Sequence, residues 1–215
     1  MFELCASILA ADFAHLAQDI QAAETAGVDA FHVDIMDGHF VPAISFGTSV
    51  VRTMRALTQK PLDVHLMVEH PDVFVEELAA LGVERVSVHY EVPGGPQAAL
   101  NAICAAGMRA GLVLNPETPV QAAEPYLEQI DQLLLMTVAP GRGGQAYLPS
   151  SNAKIAAAEE MLRRAGRRAV IQVDGGITVH TLPAAYTAGA RSFVSGSAVF
   201  AGQIGDNVKR LRMTV

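Results

Sequence analysis

The chain is poor in cysteine, in lysine and in charge generally, and each shortage excludes something. Two cysteines in 215 residues, Cys5 and Cys104, are too few and too far apart for a disulfide scaffold or a cysteine-based zinc motif. Each reads as a small buried apolar residue in a reducing, cytoplasmic setting. The 15 Lys and Arg are outnumbered by 22 Asp and Glu, a formal net charge of −7. That balance argues against a phosphate-tracking surface, so nucleic acid is not an expected partner. No apolar run approaches the roughly 18 residues of a membrane-spanning helix. An acid, Glu3, stands where a secretory signal would carry positive charge. Neither a membrane nor export is expected. Hydrophobic residues, by contrast, make up 51% of the chain and charged ones 17%, a composition that supports a sizeable core and not disorder.

One phrase recurs five times: an apolar, Ala-rich stretch, a small or apolar residue followed by Gly, then a β-rich run. It occurs as Ala26-Gly27 before Phe31-His32-Val33, Leu81-Gly82 before Val86-Ser87-Val88, and Ala106-Gly107 before Leu112-Val113-Leu114. Ala165-Gly166 before Val170-Ile171-Gln172-Val173 and Ala188-Gly189 before Phe193-Val194 complete it. Glycine after such a helix is a stop signal, because it takes positive φ without steric cost. Leu4 to Leu9, Leu62 to Leu66 and Leu133 to Val138 add three strands. Helical patterns fall near 14–26, 47–57, 71–80, 96–106, 119–128, 151–164, 178–187 and 203–212.

The result is eight β/α units, with strands read as continuous apolar runs of a parallel sheet covered on both faces. An open doubly wound sheet would carry G-x-G-x-x-G after its first strand, and none follows Leu4 to Leu9. Polar residues instead gather at the C-terminal ends of several strands, where a barrel assembles its chemistry. The spacing predicts a single (β/α)₈ TIM barrel of near-minimal size over residues 1–215.

His32 and Asp34 lie two apart on strand two and share a face. In strand three the phrase Asp63-Val64-His65 ends with a histidine, and strand seven ends on Asp174. Two imidazoles and two carboxylates converging on one barrel axis suit a single divalent ion: zinc, iron, manganese or cobalt. Singly, each has an ordinary structural explanation, a bonded core histidine or an aspartate capping the next helix. Together they are costly to bury unless a cation or reactant compensates. His89, at the tip of strand four, competes as a ligand but also reads as a polar group bonded inside the mouth. His15, His70 and His180 fall in or beside helices, and His39 in the loop after strand two.

Three glycine loops stand where strands six, seven and eight meet their helices: Pro140-Gly141-Arg142-Gly143-Gly144, Asp174-Gly175-Gly176 and Ser195-Gly196-Ser197. Glycine lets backbone N–H groups approach an anion closely, and a phosphate site after strands seven and eight recurs in this barrel. The three lysines, Lys60, Lys154 and Lys209, all fall in helices or just before a strand. Schiff-base chemistry, which needs a desolvated lysine at a strand end, is excluded. So is the Asp-x-Lys-x-x-Asp strand motif of phosphate-binding decarboxylases, since this chain reads Asp34-Ile35-Met36-Asp37. What remains is proton transfer by carboxylates beside a metal, on a phosphorylated substrate. Asp34 and Asp174, on well-separated strands, suit a two-base inversion of one carbon.

Ser7-Ile8-Leu9-Ala10-Ala11-Asp12-Phe13, His32-Val33-Asp34-Ile35-Met36-Asp37-Gly38-His39-Phe40-Val41-Pro42, and Leu62-Asp63-Val64-His65-Leu66-Met67 carry a family resemblance in order and spacing. So do Leu114-Asn115-Pro116, Pro140-Gly141-x-Gly143-Gly144-Gln145, Val173-Asp174-Gly175-Gly176 and Gly196-Ser197-Ala198. Along essentially its whole length the chain resembles the ribulose-phosphate 3-epimerases. The resemblance implies a metal-dependent barrel interconverting ribulose 5-phosphate and xylulose 5-phosphate, commonly as a dimer or hexamer. It implies His32, Asp34, His65 and Asp174 as ligands of one divalent ion, with Asp34 as proton acceptor and Asp174 as donor in one direction. Ser7 and His65 would contact substrate, while Gly141 to Gly144, Gly175, Gly176, Gly196 and Ser197 would hold its phosphate. Met36, Met67 and Met136 match methionines that line the reaction chamber, and read equally as apolar filling.

Ala139, Arg142 and Ala43 depart from the family's usual Asn, Phe and Asn, and Ala6 from its Pro. These changes leave the ligands intact but touch the rim. They motivate one alternative, a 3-epimerase of a hexulose 6-phosphate such as allulose 6-phosphate. A non-catalytic phosphosugar-binding barrel is the alternative of a different class. Arg142 either adds a phosphate contact or points to solvent.

Overall fold

A computed structural model describes residues 2–215. Eight parallel strands close into a barrel in sequence order: β1 (Glu3–Ser7), β2 (Ala30–Met36), β3 (Leu62–Met67), β4 (Arg85–His89), β5 (Arg109–Leu114), β6 (Gln132–Met136), β7 (Val170–Asp174) and β8 (Ser192–Ser195). Around them run α1 (Leu16–Ala26), α2 (Thr48–Leu57), α3 (Val75–Ala80), α4 (Gln97–Ala105), α5 (Ser151–Arg164), α6 (Leu182–Ala188), α7 (Ser197–Phe200) and α8 (Ile204–Arg212). The (β/α)₈ barrel read from the sequence is borne out. All five stop glycines, Gly27, Gly82, Gly107, Gly166 and Gly189, have positive φ.

Three local expectations need correction. β1 ends at Ser7, not Leu9, because Ile8–Ala10 turn into a short 3₁₀ helix. The helix expected over 119–128 is a 3₁₀ helix, Val120–Tyr126, with Pro125 inside it. Proline lacks the N–H that an α-helical turn requires at that point. The strands are also not uniformly apolar. Leu4, Phe31, Val33, Leu62, Val64 and Phe193 face the helices in one large buried core, each fully buried aliphatic or aromatic side chain contributing about 1.5–3 kcal/mol. The alternate positions point inward and are largely polar, so β2, β3 and β4 alternate.

On the barrel floor that inner face forms a buried polar network. Arg85 donates from Nη1 to Glu3 at 3.2 Å, and its Nε lies 3.0 Å from Asp63 Oδ1. The latter contact is an ion pair by distance, with angles too poor for a hydrogen bond. Gln172 Nε2 donates to Asp63 Oδ2 at 2.7 Å and to Ser192 at 3.0 Å, and Gln132 Nε2 donates to Gln172 at 2.8 Å. Burial pushes Asp63 toward protonation, but the Arg85 charge and the bonds from His32 and Gln172 outweigh it and hold its carboxyl well below the usual range. Gly111 is required on β5 by close approach: a Cβ there would sit 2.1 Å from Ser87 Oγ.

Candidate active site

Parallel register places the polar groups of the mouth one strand step above this floor. Asp34 pairs with His65 across β2 and β3, Ser7 with His32 across β1 and β2, and Met136 with Asp174 across β6 and β7. In barrel order β7 reaches β2 through β8 and β1, so Asp174 meets the others across the axis. His32, Asp34, His65 and Asp174 each bring one ligand atom within 4.8 Å of the rest. These are the four residues expected to converge.

Asp34 is the hub. Its Oδ1 lies 3.1 Å from His65 Nδ1 and 3.3 Å from His32 Nε2, and its Oδ2 accepts from Ser7 Oγ at 2.8 Å. Burial opposes its ionisation, but the His32 charge 3.3 Å away and the contact with His65 overcome that and hold it far below the usual carboxylate range. Asp174 has only a 3.8 Å approach to His65 Nδ1. Burial, reinforced by the Asp34 charge, pushes its carboxyl up to about 6. The two carboxylates thus sit in opposed electrostatic surroundings within one cluster.

The donor set fits a divalent cation. His32 Nδ1 is engaged by Asp63 Oδ2 at 3.0 Å, which leaves Nε2 facing the cluster, buried and without a hydrogen-bond partner. Asp34 and Asp174 bring two carboxylates together, while the guanidinium of Arg85 is paired with Asp63 on the floor below. A buried site so short of positive charge, with two imidazole nitrogens and two carboxylates converging, could hold a metal ion.

Above the cluster opens a cavity of about 300 Å³. Ser7, Asp34, Asp174, the three methionines Met36, Met67 and Met136, and all three glycine loops line it, Arg142 included. His32 and His65 are fully buried behind this lining. Gly176 shows why the loops need glycine: at φ +66° a Cβ would lie 2.4 Å from the backbone nitrogen of Tyr147. Ser197 opens α7, a single unanticipated turn whose first N–H groups have no intrahelical partner. Gln145 pins the loop after β6, donating to the carbonyls of Ala139 at 2.7 Å and Arg142 at 2.8 Å.

A sequence comparison decides the family. The Ribulose-phosphate 3 epimerase family matches residues 3–200. The chain is 43% identical over 201 residues to a ribulose-phosphate 3-epimerase of Bacillus subtilis, covering 93% of each chain. The chain belongs to the ribulose-phosphate 3-epimerase family. It is therefore an isomerase of the epimerase class. A ribulose-phosphate 3-epimerase of Methanocaldococcus jannaschii is 43% identical over 213 residues, 99% of this chain and 90% of that one. Among solved structures, a 3-hexulose-6-phosphate synthase superposes with a TM-score of 0.69 at 18% identity, over 100% of both chains. That likeness speaks for the fold alone.

Against this family background the remaining histidines sort simply. His15, His39, His70 and His180 are exposed, away from the cluster. His89 is buried but outside the four, bonded to His65 and Glu91. Arg142 is exposed at the cavity rim, and Ala43 packs against the small cluster of Met36, Val41 and Met67. Sequence reasoning missed Asp63, Arg85, Gln172 and Glu91 as support for the epimerase site. Their inward phase was the available signal for the first three: Asp63 on β3 and Gln172 on β7 stand two residues before His65 and Asp174, and Arg85 on β4 four residues before His89. Lys154, as expected, lies on a helix, where it donates to the carbonyls of Asn115 and Pro116. Among the described residues no helix is long and apolar enough to cross a membrane.

Proposed function

We propose that this epimerase interconverts D-ribulose 5-phosphate and D-xylulose 5-phosphate by two-base proton transfer at C3. The observation that carries the reading is the convergence of Asp34 and Asp174, from strands on either side of the axis, below a cavity rimmed by glycine loops. In one direction Asp34 removes the C3 proton, and the C–H electron pair moves toward the C2 carbonyl, leaving a planar enediolate. Asp174 then returns a proton to the opposite face of C3, inverting it. Ser7, bonded to Asp34, orients that carboxylate and touches substrate. Backbone N–H groups of Gly141 to Gly144, Gly175, Gly176, Gly196 and Ser197 hold the phosphate, which explains how a chain of net charge −7 accommodates an anion. Met36, Met67 and Met136 wall the chamber against water.

His32, Asp34, His65 and Asp174 would hold one divalent ion, zinc, iron, manganese or cobalt. Bound there, it supplies Lewis-acid polarisation that acidifies the C3 hydrogen. In this reading the enzyme works in the cytoplasm as a homo-oligomer, a dimer or hexamer, and exposed apolar side chains such as Ile44 and Val73 support association. The test is turnover of ribulose 5-phosphate against allulose 6-phosphate, before and after chelator treatment. The expected result is preference for the pentulose phosphate, lost on chelation and restored by a divalent ion. Preference for the hexulose phosphate, or full turnover without metal, contradicts it.

A further inference from the structure

Two imidazoles in the cluster must each present a bare nitrogen inward, and the protein orients them in two different ways. His32 is held directly, through Asp63 on its far nitrogen. His65 reaches no carboxylate on its far side. Its Nε2 faces Nε2 of His89 at 2.9 Å, with the two ring planes inclined by only 25°. The far nitrogen of His89, Nδ1, lies 3.1 Å from Glu91 Oε2. Glu91 is itself fixed, its Oε1 accepting from the backbone N–H of Asn115 at 2.9 Å and from the Thr118 hydroxyl.

We propose that Glu91 is a positioning residue that sets the tautomer of His65 through His89, and so directs the His65 Nδ1 lone pair into the metal site. This inference rests on the proposed metal-ligand role of His65. The polarity follows from one end of the chain. A carboxylate only accepts, so His89 Nδ1 carries a proton and donates to Glu91. Neutral His89 then has a bare Nε2, which can only accept. Two nitrogens at 2.9 Å share a single proton, and it therefore resides on His65 Nε2. That leaves His65 Nδ1, the atom 3.1 Å from Asp34 and 3.8 Å from Asp174, as the nitrogen that faces the site, where an incoming cation takes the place of any proton it shares with Asp34. His89 is buried, so no water interrupts the relay, and its ring packs on Phe40 with centroids 4.8 Å apart.

Glu91→Gln inverts this logic without changing size. The Asn115 N–H keeps the Gln oxygen on its side and turns the amide NH₂ toward His89. His89 must then accept at Nδ1 and carry its proton on Nε2, which forces His65 to accept at Nε2 and to place its own proton on Nδ1. The first measurement needs no variant: nitrogen NMR shifts of the histidines in the metal-free wild-type protein. His89 protonated at Nδ1 and bare at Nε2, with a proton on His65 Nε2, is the expected result. A proton on His89 Nε2 overturns the proposal. The second measurement is the affinity of the metal-free protein for Zn²⁺ alone, by chelator competition. Glu91→Gln should bind about 10-fold or more weaker, the scale of outer-shell ligand support. His89→Gln in the same background, whose side-chain oxygen can accept from His65 regardless of position 91, should recover the loss. Unchanged affinity and unchanged histidine shifts in Glu91→Gln also overturn it. A wild-type protein that binds no Zn²⁺ at all would instead refute the metal role on which the inference rests.

Discussion

Asp63 on the barrel floor and Asp174 at the mouth are both carboxylates on inward-facing strand positions, and their surroundings differ in what completes them. Asp63 has a guanidinium at 3.0 Å, an amide donor at 2.7 Å and an imidazole at 3.0 Å. Asp174 has one imidazole at 3.8 Å and the repelling charge of Asp34. The floor is completed by the protein itself, while the mouth is left to be completed by something else. Moving a strand step or two along the same barrel thus converts a carboxylate from a structural element into a chemical one. The price of this arrangement is a strained electrostatic balance at the mouth, carried by the apolar outer core.

The comparison is broken most sharply by removing each carboxylate in turn. Asp174→Asn should lower kcat by at least about 10³-fold, within the range of a lost acid–base group, while the melting temperature holds or rises as the repulsion with Asp34 is relieved. Asp63→Ala should do the reverse in emphasis. It leaves the buried Arg85 with Glu3 as its one carboxylate partner and should cost about 3–5 kcal/mol of stability, the usual penalty for breaking a buried pair. Denaturant unfolding reads this directly, and a loss below about 1 kcal/mol would mean that water reaches the floor.

The smallest effect concerns the relay beside the mouth. Burial raises the Glu91 carboxyl, but bonds from His89, Thr118 and the Asn115 N–H outweigh it and hold the group at about 2. A carboxyl depressed on folding stabilises the folded state above its unfolded pKa, and that contribution disappears as pH falls through the folded value. Between about pH 4.5 and 2 the wild type should therefore lose more stability than Glu91→Gln. Parallel acid-unfolding curves would contradict the assignment.

Much of the mouth was legible in the sequence because its residues combine two independent signals, a period of two and a position at a strand's C-terminal end. Asp34, His65 and Asp174 lie in the C-terminal halves of their strands, and His32 shares the inward face with Asp34 two residues earlier on β2. The stop glycines were legible because positive φ is chemically selective. The floor was hidden for the opposite reason. Gln172 and Gln132 have side chains common anywhere, and Asp63 and Arg85 acquire meaning only when barrel closure brings β1, β3, β4 and β7 around one axis. Pro125 was in plain view, yet the apolar pattern over 119–128 outweighed it in the reading. Polar inward positions likewise made strands that were expected to be uniform alternate instead.

In the proposed mechanism two different carboxylates, Asp34 and Asp174, serve opposite faces of C3. The most direct test is wild-type turnover of ribulose 5-phosphate in D₂O, followed by NMR at low conversion. Asp174 is partly exposed, its side chain at 17%, and equilibrates with solvent between turnovers. Product xylulose 5-phosphate should therefore carry deuterium at C3 from the first turnover, while recovered substrate keeps its hydrogen. Product that retains the substrate's own hydrogen would contradict the two-base assignment and reduce the site to a single carboxylate.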